Sequence, residues 1–272
     1  PSRSSPITIL IAVLKLSDFD YHLPRERIAQ YPLPRRDGAK LLVLDRKTGR
    51  TRHRSFKDVT DYLDKKDLLI LNNTKVLPAR LFGSRLPGGK VEVLLLASIK
   101  PGTFRAFIKP ARVRVGEKVL FGGGRVSGVV CGRGEIRFDT QDPRQIYCLG
   151  AMPLPPYIKR EAEDLDRDYY QTVYAQEEGA VASPTAGLHF TKELIDTIRA
   201  GGTGVGLVTL HVGVGTFAPV KSENIMLHKM EKEYFKVPQA AADLIQKTRL
   251  AKGRVTAVGT TSLRVLETSG GR

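Results

Sequence analysis

The residues best suited to chemistry lie in three stretches where glycines and hydroxyl side chains stand beside a histidine or at the end of an apolar run. Residues 179–191 carry His189, residues 211–217 begin with His211, and residues 259–262 read Gly-Thr-Thr-Ser. Bare backbone N–H groups and hydroxyls can bind an anionic, hydroxyl-rich ligand, and imidazoles move protons near neutral pH. One such stretch would be an ordinary turn with a helix cap, but three in succession predict a ligand site.

Apolar periodicity supplies the elements that would position these stretches. Residues 180–182 end a short buried strand, Thr191 is a suitable N-cap for an amphipathic helix, and residues 207–212 form the next strand. The roughly twenty residues between the two strands predict parallel neighbours joined by a crossover helix. A helix over 240–251 and a strand over 254–258 repeat the unit. All three loops are then expected at one sheet edge, where α/β sheets usually bind ligands.

The charge of the chain indicates a polyanionic partner. Its 272 residues carry 44 Lys and Arg against 28 Asp and Glu, a formal net charge of +16. A soluble chain this basic usually binds nucleic acid, although a merely solvated basic surface would give the same total. A predicted hairpin formed by strands at 40–45 and 51–55 is rich in arginine, and we interpret it as a phosphate-binding surface, although a solvated turn would look similar.

Neither a membrane anchor, a metal site nor a common nucleotide fingerprint is predicted. The apolar run 7–14 is far shorter than the ~20 residues that a bilayer requires. Cys131 and Cys148 form no CxxC pair, which fits a reducing cytoplasm and a protein without a metal. Residues 213–218 fit G-x-G-x-x-A, but Pro219 continues the chain where a Rossmann helix should begin.

The pattern of apolar and turn residues divides the chain into two domains. Residues 77–150 show no helical period, only β-rich runs punctuated by glycine and proline turns. Helices and strands alternate again after this module, so it is inserted in a larger unit. We predict a mixed α/β (α+β) fold with a large domain over 16–76 and 151–272, built on a barrel-like mixed sheet with helices. A small inserted β-barrel occupies 77–150, and residues 1–15 form an extension.

Taken in order, the three stretches resemble the signature blocks of the S-adenosylmethionine:tRNA ribosyltransferase-isomerases. The blocks are Gly-Ala-Val-Ala-Ser-Pro-Thr-Ala-Gly-Leu-His-Phe-Thr at 179–191, Thr-Leu-His-Val-Gly-Val-Gly-Thr-Phe at 209–217 and Val-Gly-Thr-Thr-Ser-Leu-Arg at 258–264. The similarity extends to residues 16–24, 72–81, 152–160 and 168–175. It therefore covers nearly the whole chain beyond the N-terminal extension.

The resemblance implies a queuosine-pathway enzyme. Such an enzyme moves the ribosyl part of S-adenosylmethionine onto the aminomethyl group of a 7-deazaguanine at the tRNA wobble position, and adenine and methionine leave. The product is the epoxycyclopentanediol of epoxyqueuosine. The implied fold is a large α/β domain with an inserted β-barrel, and we expect a cytoplasmic monomer. Family members run further past the Gly-Thr-Thr-Ser block, so we expect either that a C-terminal piece beyond Arg272 is absent or that the site is incomplete.

This substrate defines the work that the site must do. The sulfonium acidifies the neighbouring C5′ protons, which need a base, and the departing adenine needs a proton or a hydrogen bond; histidine suits both roles. The candidates are His189, His211 and the pair His228 and Glu231, although loop-bracing or surface roles stay open and the base is not assigned. We expect S-adenosylmethionine to contact Thr185, Gly187, Phe190, Gly213, Gly215, Thr216, Phe217, Gly259, Thr260, Thr261, Ser262 and Arg264.

The expected tRNA contacts are Arg46, Arg50, Arg52, Arg54, Lys75, Arg80, Tyr157, Lys159 and Arg160. Tyr157 offers a stacking ring beside two charges, but a linker tyrosine packed on the domain edge is an equally open reading. The main alternative function is a non-catalytic RNA-binding protein, which would not need three glycine- and hydroxyl-rich loops. A small-molecule transferase is a second alternative, and it would not need the arginine-rich hairpin.

Overall fold

The structure, a computed structural model, describes residues 14–86, 88–213, 215, 220, 222–230 and 232–270. Most of the extension expected over 1–15 therefore lies outside the described residues. In chain order the strands are β1 (Lys40–Leu44), β2 (Thr51–Ser55), β3 (Leu68–Asn72), β4 (Thr74–Val76), β5 (Arg80–Arg85), β6 (Lys90–Lys100), β7 (Thr103–Lys109), β8 (Lys118–Phe121), β9 (Val126–Gly132), β10 (Glu135–Phe138), β11 (Glu177–Ala180), β12 (Gly204–Leu210), β13 (Phe235–Lys236) and β14 (Val255–Ala257). The helices are α1 (Pro143–Tyr147), α2 (Leu165–Tyr169), α3 (Lys192–Ala200), α4 (Gln239–Leu250) and α5 (Gly259–Gly270).

Six antiparallel strands close into a barrel in the order β10-β7-β6-β5-β8-β9. Its interior is filled by fully buried side chains such as Val93, Phe121 and Ile136. The predicted β-rich runs form strands β6 to β10. Strand β5 was not predicted, because Gly83 and Ser84 interrupt its apolar pattern. The mixed fold with a β-barrel is thus confirmed, and the domain boundaries at 77 and 150 stay a prediction.

A four-stranded sheet in the order β13-β12-β3-β14 carries the helices on its two faces. Strands β12, β3 and β14 are parallel, so their carboxyl ends meet at one edge. Strand β3 is central and buried on both faces. Leu68 and Ile70 pack with α4 and α5, while Leu69 and Leu71 pack with α3. This period of two explains the continuous apolar run of β3.

Helix α3 forms where its capping signal and apolar spacing predict it. The Thr191 hydroxyl accepts a hydrogen bond from the Leu194 N–H at 3.1 Å. Leu194, Ile195 and Ile198 are buried on one face, and Gly201 caps the carboxyl end. The helix therefore fixes the end of the first candidate loop against the sheet.

One predicted strand pairing is wrong. Strand β11 ends at Ala180 and pairs in parallel with β4, not with β12. The backbone N–H groups of Gln176 and Glu177 both donate to the Asn73 carbonyl, at 2.8 and 3.1 Å. These hydrogen bonds hold the start of β11 beside the segment that follows β3. The Val181 N–H nevertheless donates to the Val212 carbonyl at 3.2 Å. The two loops are therefore neighbours although their strands are not.

A second difference concerns residues 259–262, which we expected to form a loop before a helix starting at Leu263. They are the first turn of α5. Strand β14 ends at Ala257, so almost no loop separates strand from helix. The hydroxyls of this block consequently project from a helical turn, and the N–H groups at the start of α5 lack intrahelical partners.

Asp67 holds together the amino ends of the parallel strands. Its buried carboxylate accepts the backbone N–H of Arg254 at 2.9 Å and pairs with the Arg254 guanidinium. The Gly204 N–H donates to the Asp67 carbonyl at 2.8 Å. The hydrogen bond from Arg254 is the main reason that the pKa of Asp67 lies below its usual range. One residue thus fixes the starts of β3, β12 and β14.

Across the described part of the chain, no helix has both the length and the apolar character that a membrane crossing demands.

Candidate functional site

The carboxyl end of β3 is built around two buried asparagines. The Asn72 carboxamide donates to the Leu210 carbonyl at 3.0 Å and accepts the N–H groups of Leu210 and Thr74 at 3.0 and 3.1 Å. The Asn73 side chain accepts the Thr209 hydroxyl at 2.7 Å. These side chains continue the pairing of β3 with β12 beyond the point where the backbones diverge. They therefore fix where the loops after β3 and β12 begin.

His211 lies directly beyond the end of β12, at this fixed point. The hydroxyl of the fully buried Thr74 is 2.8 Å from its Nδ1, and the imidazole stacks on Tyr234 with ring centroids 5.4 Å apart. Burial lowers the pKa of His211 below its usual range, and the neighbouring Glu177 only partly opposes this. The histidine is thus held in place and is mostly neutral near pH 7.

Gly179 packs against the Cδ2–Nε2 edge of the His211 ring without a side chain. A Cβ at position 179 would lie 2.9 Å from both Cδ2 and Nε2 of the imidazole, and the φ of Gly179 is +148°. A side chain here would be strained and would cover the nitrogen that does not face Thr74. The arrangement turns Nδ1 toward Thr74 and places no side chain of residue 179 over Nε2.

Glu233 links the second and third loops. Its side chain, 6% exposed, accepts the Gly213 N–H at 3.0 Å and forms an ion pair with Arg264 of α5. Arg264 is one of the predicted site residues, whereas Glu233 was missed. Its position in an irregular, charged stretch resembles that of any surface glutamate, so the sequence carries no signal for this role.

The first loop forms a turn of 3-10 helix, Thr185–His189, which packs against the start of α5. Ala186 contacts Gly259. A Cβ at Gly187 would lie only 2.0 Å from the Tyr174 hydroxyl and 3.0 Å from Thr172, so only glycine fits there. The first and third loops are therefore in direct contact, and the Glu233 ion pair joins the second loop to them.

Buried hydroxyls gather around these loops. Within the described part of the chain, five of them have no hydrogen-bond partner: Thr172, Tyr174, Ser183, Thr261 and Ser262. Burial raises the pKa of Tyr174, so its hydroxyl stays a neutral donor. Buried polar groups normally find partners, and unpaired ones point to water or to a polar ligand. The site therefore offers several hydroxyls for such a ligand.

His189 lies at the other end of the first loop. Its ring centroid is 5.2 Å from that of Phe56. Burial, and secondly the Arg36 guanidinium, lower the pKa of His189. Arg36 donates to the carbonyls of Asp168, Gln171 and Leu188 at 2.7 to 3.1 Å, which anchors this loop. His189 and Thr185 also line a cavity of about 540 Å³.

The other residues that were predicted to contact S-adenosylmethionine have different surroundings. Phe190 is 1% exposed and packs edge-on against Phe56 in the core, so it does not line an open site. Thr260 is exposed on the first turn of α5. Thr216 and Phe217 lie outside the described residues. Gly215 is described, but its neighbours Val214 and Thr216 lie outside the described residues.

The third histidine candidate, His228, is not on a helical face. His228 ends a single 3-10 turn, Ile225–Leu227, and its backbone then becomes extended, so the three-residue spacing to Glu231 does not place the two side chains on one helix. Glu231 itself lies outside the described residues. Among the residues that the structure does describe, no three His, Cys, Asp or Glu side chains converge as metal ligands would.

The predicted tRNA residues divide into exposed and engaged groups. Arg46, Arg50, Arg52 and Arg54 are all exposed on the β1–β2 hairpin, whose two strands pair as predicted. The remaining ones already make contacts. Lys75 pairs with Glu178 at 2.9 Å, Arg80 lies 3.5 Å from Glu92, Lys159 donates to the Pro156 carbonyl and Arg160 pairs with Asp166. Tyr157 and Arg160 line the same cavity as His189.

The two lowered histidine pKa values predict a pH-dependent stability. A histidine in the unfolded chain titrates near 6.5, so below that pH the unfolded chain binds more protons than the folded one. The free energy of unfolding should therefore fall as the pH decreases from about 6.5 through the folded-state pKa values. Urea unfolding between pH 5 and 8 measures this slope. The double variant His189→Asn, His211→Asn should have a smaller slope of unfolding free energy against pH than the wild type. The control variant His53→Asn, on the exposed hairpin, should keep the wild-type slope. Equal slopes in the wild type and both variants would contradict the assignment of the pH dependence to His189 and His211.

Comparison with known proteins places the chain in a family. A family model described as "Queuosine biosynthesis protein" matches residues 16–271. Two curated relatives, from Desulforamulus reducens and a Sulfurihydrogenibium species, are 46% and 47% identical, and both are named S-adenosylmethionine:tRNA ribosyltransferase-isomerase. Each alignment covers 94% of this chain and 77% or 78% of the relative.

A solved structure is also similar. It is described as an S-adenosylmethionine tRNA ribosyltransferase from Thermotoga maritima, is 32% identical, and aligns over 93% of this chain and 73% of its own, with a TM-score of 0.45. The family model and the curated relatives confirm the resemblance found in the signature blocks. The chain belongs to the queuosine biosynthesis family, together with the S-adenosylmethionine:tRNA ribosyltransferase-isomerases.

Proposed function

We propose that the protein is an S-adenosylmethionine:tRNA ribosyltransferase-isomerase. It transfers and isomerises the ribosyl moiety of S-adenosylmethionine onto the 7-aminomethyl-7-deazaguanine at the tRNA wobble position, and it releases adenine and methionine. The observation that carries the proposal is family membership at 46–48% identity over nearly the whole chain. A non-catalytic RNA-binding protein is disfavoured because it would need neither a buried, oriented histidine nor the hydroxyl-rich loops.

His211 is our choice for the proton-transfer group next to the sulfonium. The reaction requires removal of a C5′ proton, and a neutral imidazole with a free nitrogen can accept it. The lowered pKa keeps His211 neutral, Thr74 occupies Nδ1, and Gly179 places no side chain over Nε2. His189 shares the lowered pKa, but its ring packs on Phe56 at the far end of the first loop. We therefore assign His189 to the departing adenine.

S-adenosylmethionine is proposed to lie across the joined loops. Its carboxylate and ribose hydroxyls suit the free N–H groups at the start of α5 and the unpaired hydroxyls of Thr261 and Ser262. Gly187 packs the first loop against Tyr174 and Thr172, and Glu233 keeps the second and third loops together.

The tRNA is proposed to contact the β1–β2 hairpin. Its four arginines are exposed, and they account for part of a net charge of +16. Phosphate contacts of this kind give affinity that is independent of sequence. Lys75, Arg80 and Arg160 already have carboxylate or backbone partners, so we expect smaller contributions from them. We further propose that the enzyme acts in the cytoplasm as a monomer.

The assignment of His211 predicts a large and selective loss of turnover. His211→Asn keeps a similar size but has no titrating nitrogen, and general acid–base groups contribute ~100-fold or more. We expect the folded variant to bind S-adenosylmethionine normally while adenine release falls by at least ~100-fold. The assay supplies S-adenosylmethionine and tRNA carrying the aminomethyl-deazaguanine, with His22→Asn, at an exposed histidine outside the hairpin, as the control. Near wild-type turnover in His211→Asn, with inactive His189→Asn, would transfer the role to His189.

The hairpin assignment predicts salt-dependent tRNA binding. The logarithm of the affinity should fall linearly with the logarithm of the salt concentration. The triple variant Arg50→Ala, Arg52→Ala, Arg54→Ala should weaken binding and reduce the slope by about 3, roughly one per phosphate contact. The matched triple lysine variant keeps the charge and should keep most of the slope. An unchanged slope in the alanine variant would exclude this surface.

A further inference from the structure

A cavity of about 540 Å³ lies beside the first loop. The 3-10 turn Thr185–His189 forms one wall, and residues 29–33 and 154–160 form the others. Its volume falls within the range of small-molecule pockets. Thr185 and His189 line the cavity and also belong to the first loop. A ligand in the cavity would therefore lie next to a ligand bound at the joined loops.

Four tyrosines give the cavity an aromatic lining: Tyr31, Tyr157, Tyr169 and Tyr170. Two of the rings are held by guanidinium groups. Arg160 lies over Tyr31 at 4.4 Å from the ring centroid, and Arg36 lies over Tyr169 at 5.2 Å. The Tyr31 hydroxyl also donates to Glu163 at 3.0 Å. These contacts orient the rings before any ligand arrives, which reduces the entropic cost of binding.

Most of the charged groups that line the cavity already have ion-pair or hydrogen-bond partners. Arg160 forms two 2.7 Å hydrogen bonds to the Asp166 carboxylate, and Arg36 donates to three backbone carbonyls. Lys40 lines the cavity from an exposed position. His189 offers ring nitrogens, and the buried Tyr170 keeps its proton because burial raises its pKa. The walls therefore suit a flat, uncharged ring with hydrogen-bonding groups at its edge, and a cation at the mouth suits an attached phosphate or carboxylate.

We propose that this cavity binds a purine-type heterocycle during the reaction. Stacking on tyrosine faces is open to any such base, and hydrogen bonds to its edge supply selectivity. Two sources share this chemistry, the adenine of S-adenosylmethionine and the deazaguanine of the tRNA. The inference rests on the proposed function, since that reaction brings both heterocycles to one site.

Tyr157 is the residue with which to test the cavity. It is 47% exposed at the mouth, and its hydrogen bond within the described chain is made by its backbone carbonyl, so its ring can be removed without unpairing a buried group. Tyr157→Ala removes the ring and Tyr157→Phe keeps it. Tyr21→Ala removes a tyrosine that is 73% exposed and does not line the cavity, and it serves as the control.

Calorimetry with three probes distinguishes the sources: adenosine, methionine, and an anticodon stem-loop RNA carrying the aminomethyl-deazaguanine. We expect Tyr157→Ala to weaken either adenosine or the stem-loop by about 10-fold or more, the usual size of a stacking loss. The probe whose binding is weakened identifies which base the cavity binds. Methionine binding should not change, and Tyr157→Phe and Tyr21→Ala should match the wild type.

Wild-type affinity of Tyr157→Ala for both adenosine and the stem-loop would overturn the cavity assignment. Equal weakening of methionine would also overturn it, because a general loss of structure would then be the cause. Failure of the proposed function gives a different result, since the wild-type protein would release no adenine from S-adenosylmethionine and the modified tRNA, whatever its affinities.

Discussion

The structure of the site depends on the buried carboxamide of Asn72. The side chain is fully buried and makes three hydrogen bonds to the backbones of Leu210 and Thr74. A carboxamide can donate and accept at once, so it replaces a strand partner where β3 and β12 separate. Because it fixes both Thr74 and the end of β12, the contact between the Thr74 hydroxyl and His211 follows from it. His211, the proposed proton-transfer group, is thus positioned by the sheet and not by a loop.

Polar anchors at both ends of β3 fix an apolar middle. Asp67 ties the amino ends of the three parallel strands through Arg254 and Gly204, and Asn72 ties the carboxyl ends. Between them, residues 68–71 are buried on both faces and offer no register information of their own. Shifting the strand by one residue would bury the anchors without partners, which is costly. The anchors therefore specify the register on which the site depends.

Sequence reasoning succeeded where the signals are local. The barrel strands and α3 follow from β-rich runs, turn residues and the Thr191 cap, and the signature blocks identified the family. Contacts distant in sequence could not be predicted. The capture of β11 by Asn73 joins residues about a hundred positions apart, and Glu233 is recognisable only once Gly213 and Arg264 flank it. The aromatic cavity likewise unites Tyr31 with Arg160, which no periodicity connects.

The most direct test of this account is the free energy of unfolding of Asn72→Ala. The substitution leaves the Leu210 N–H, the Leu210 carbonyl and the Thr74 N–H without their partner in a fully buried place, and each such loss costs about 1–3 kcal/mol. We predict a loss of about 3 kcal/mol or more in urea unfolding, against less than about 1 kcal/mol for Asn224→Ala, whose side chain accepts one N–H in an exposed turn. Equal losses in the two variants would contradict the central role given to Asn72.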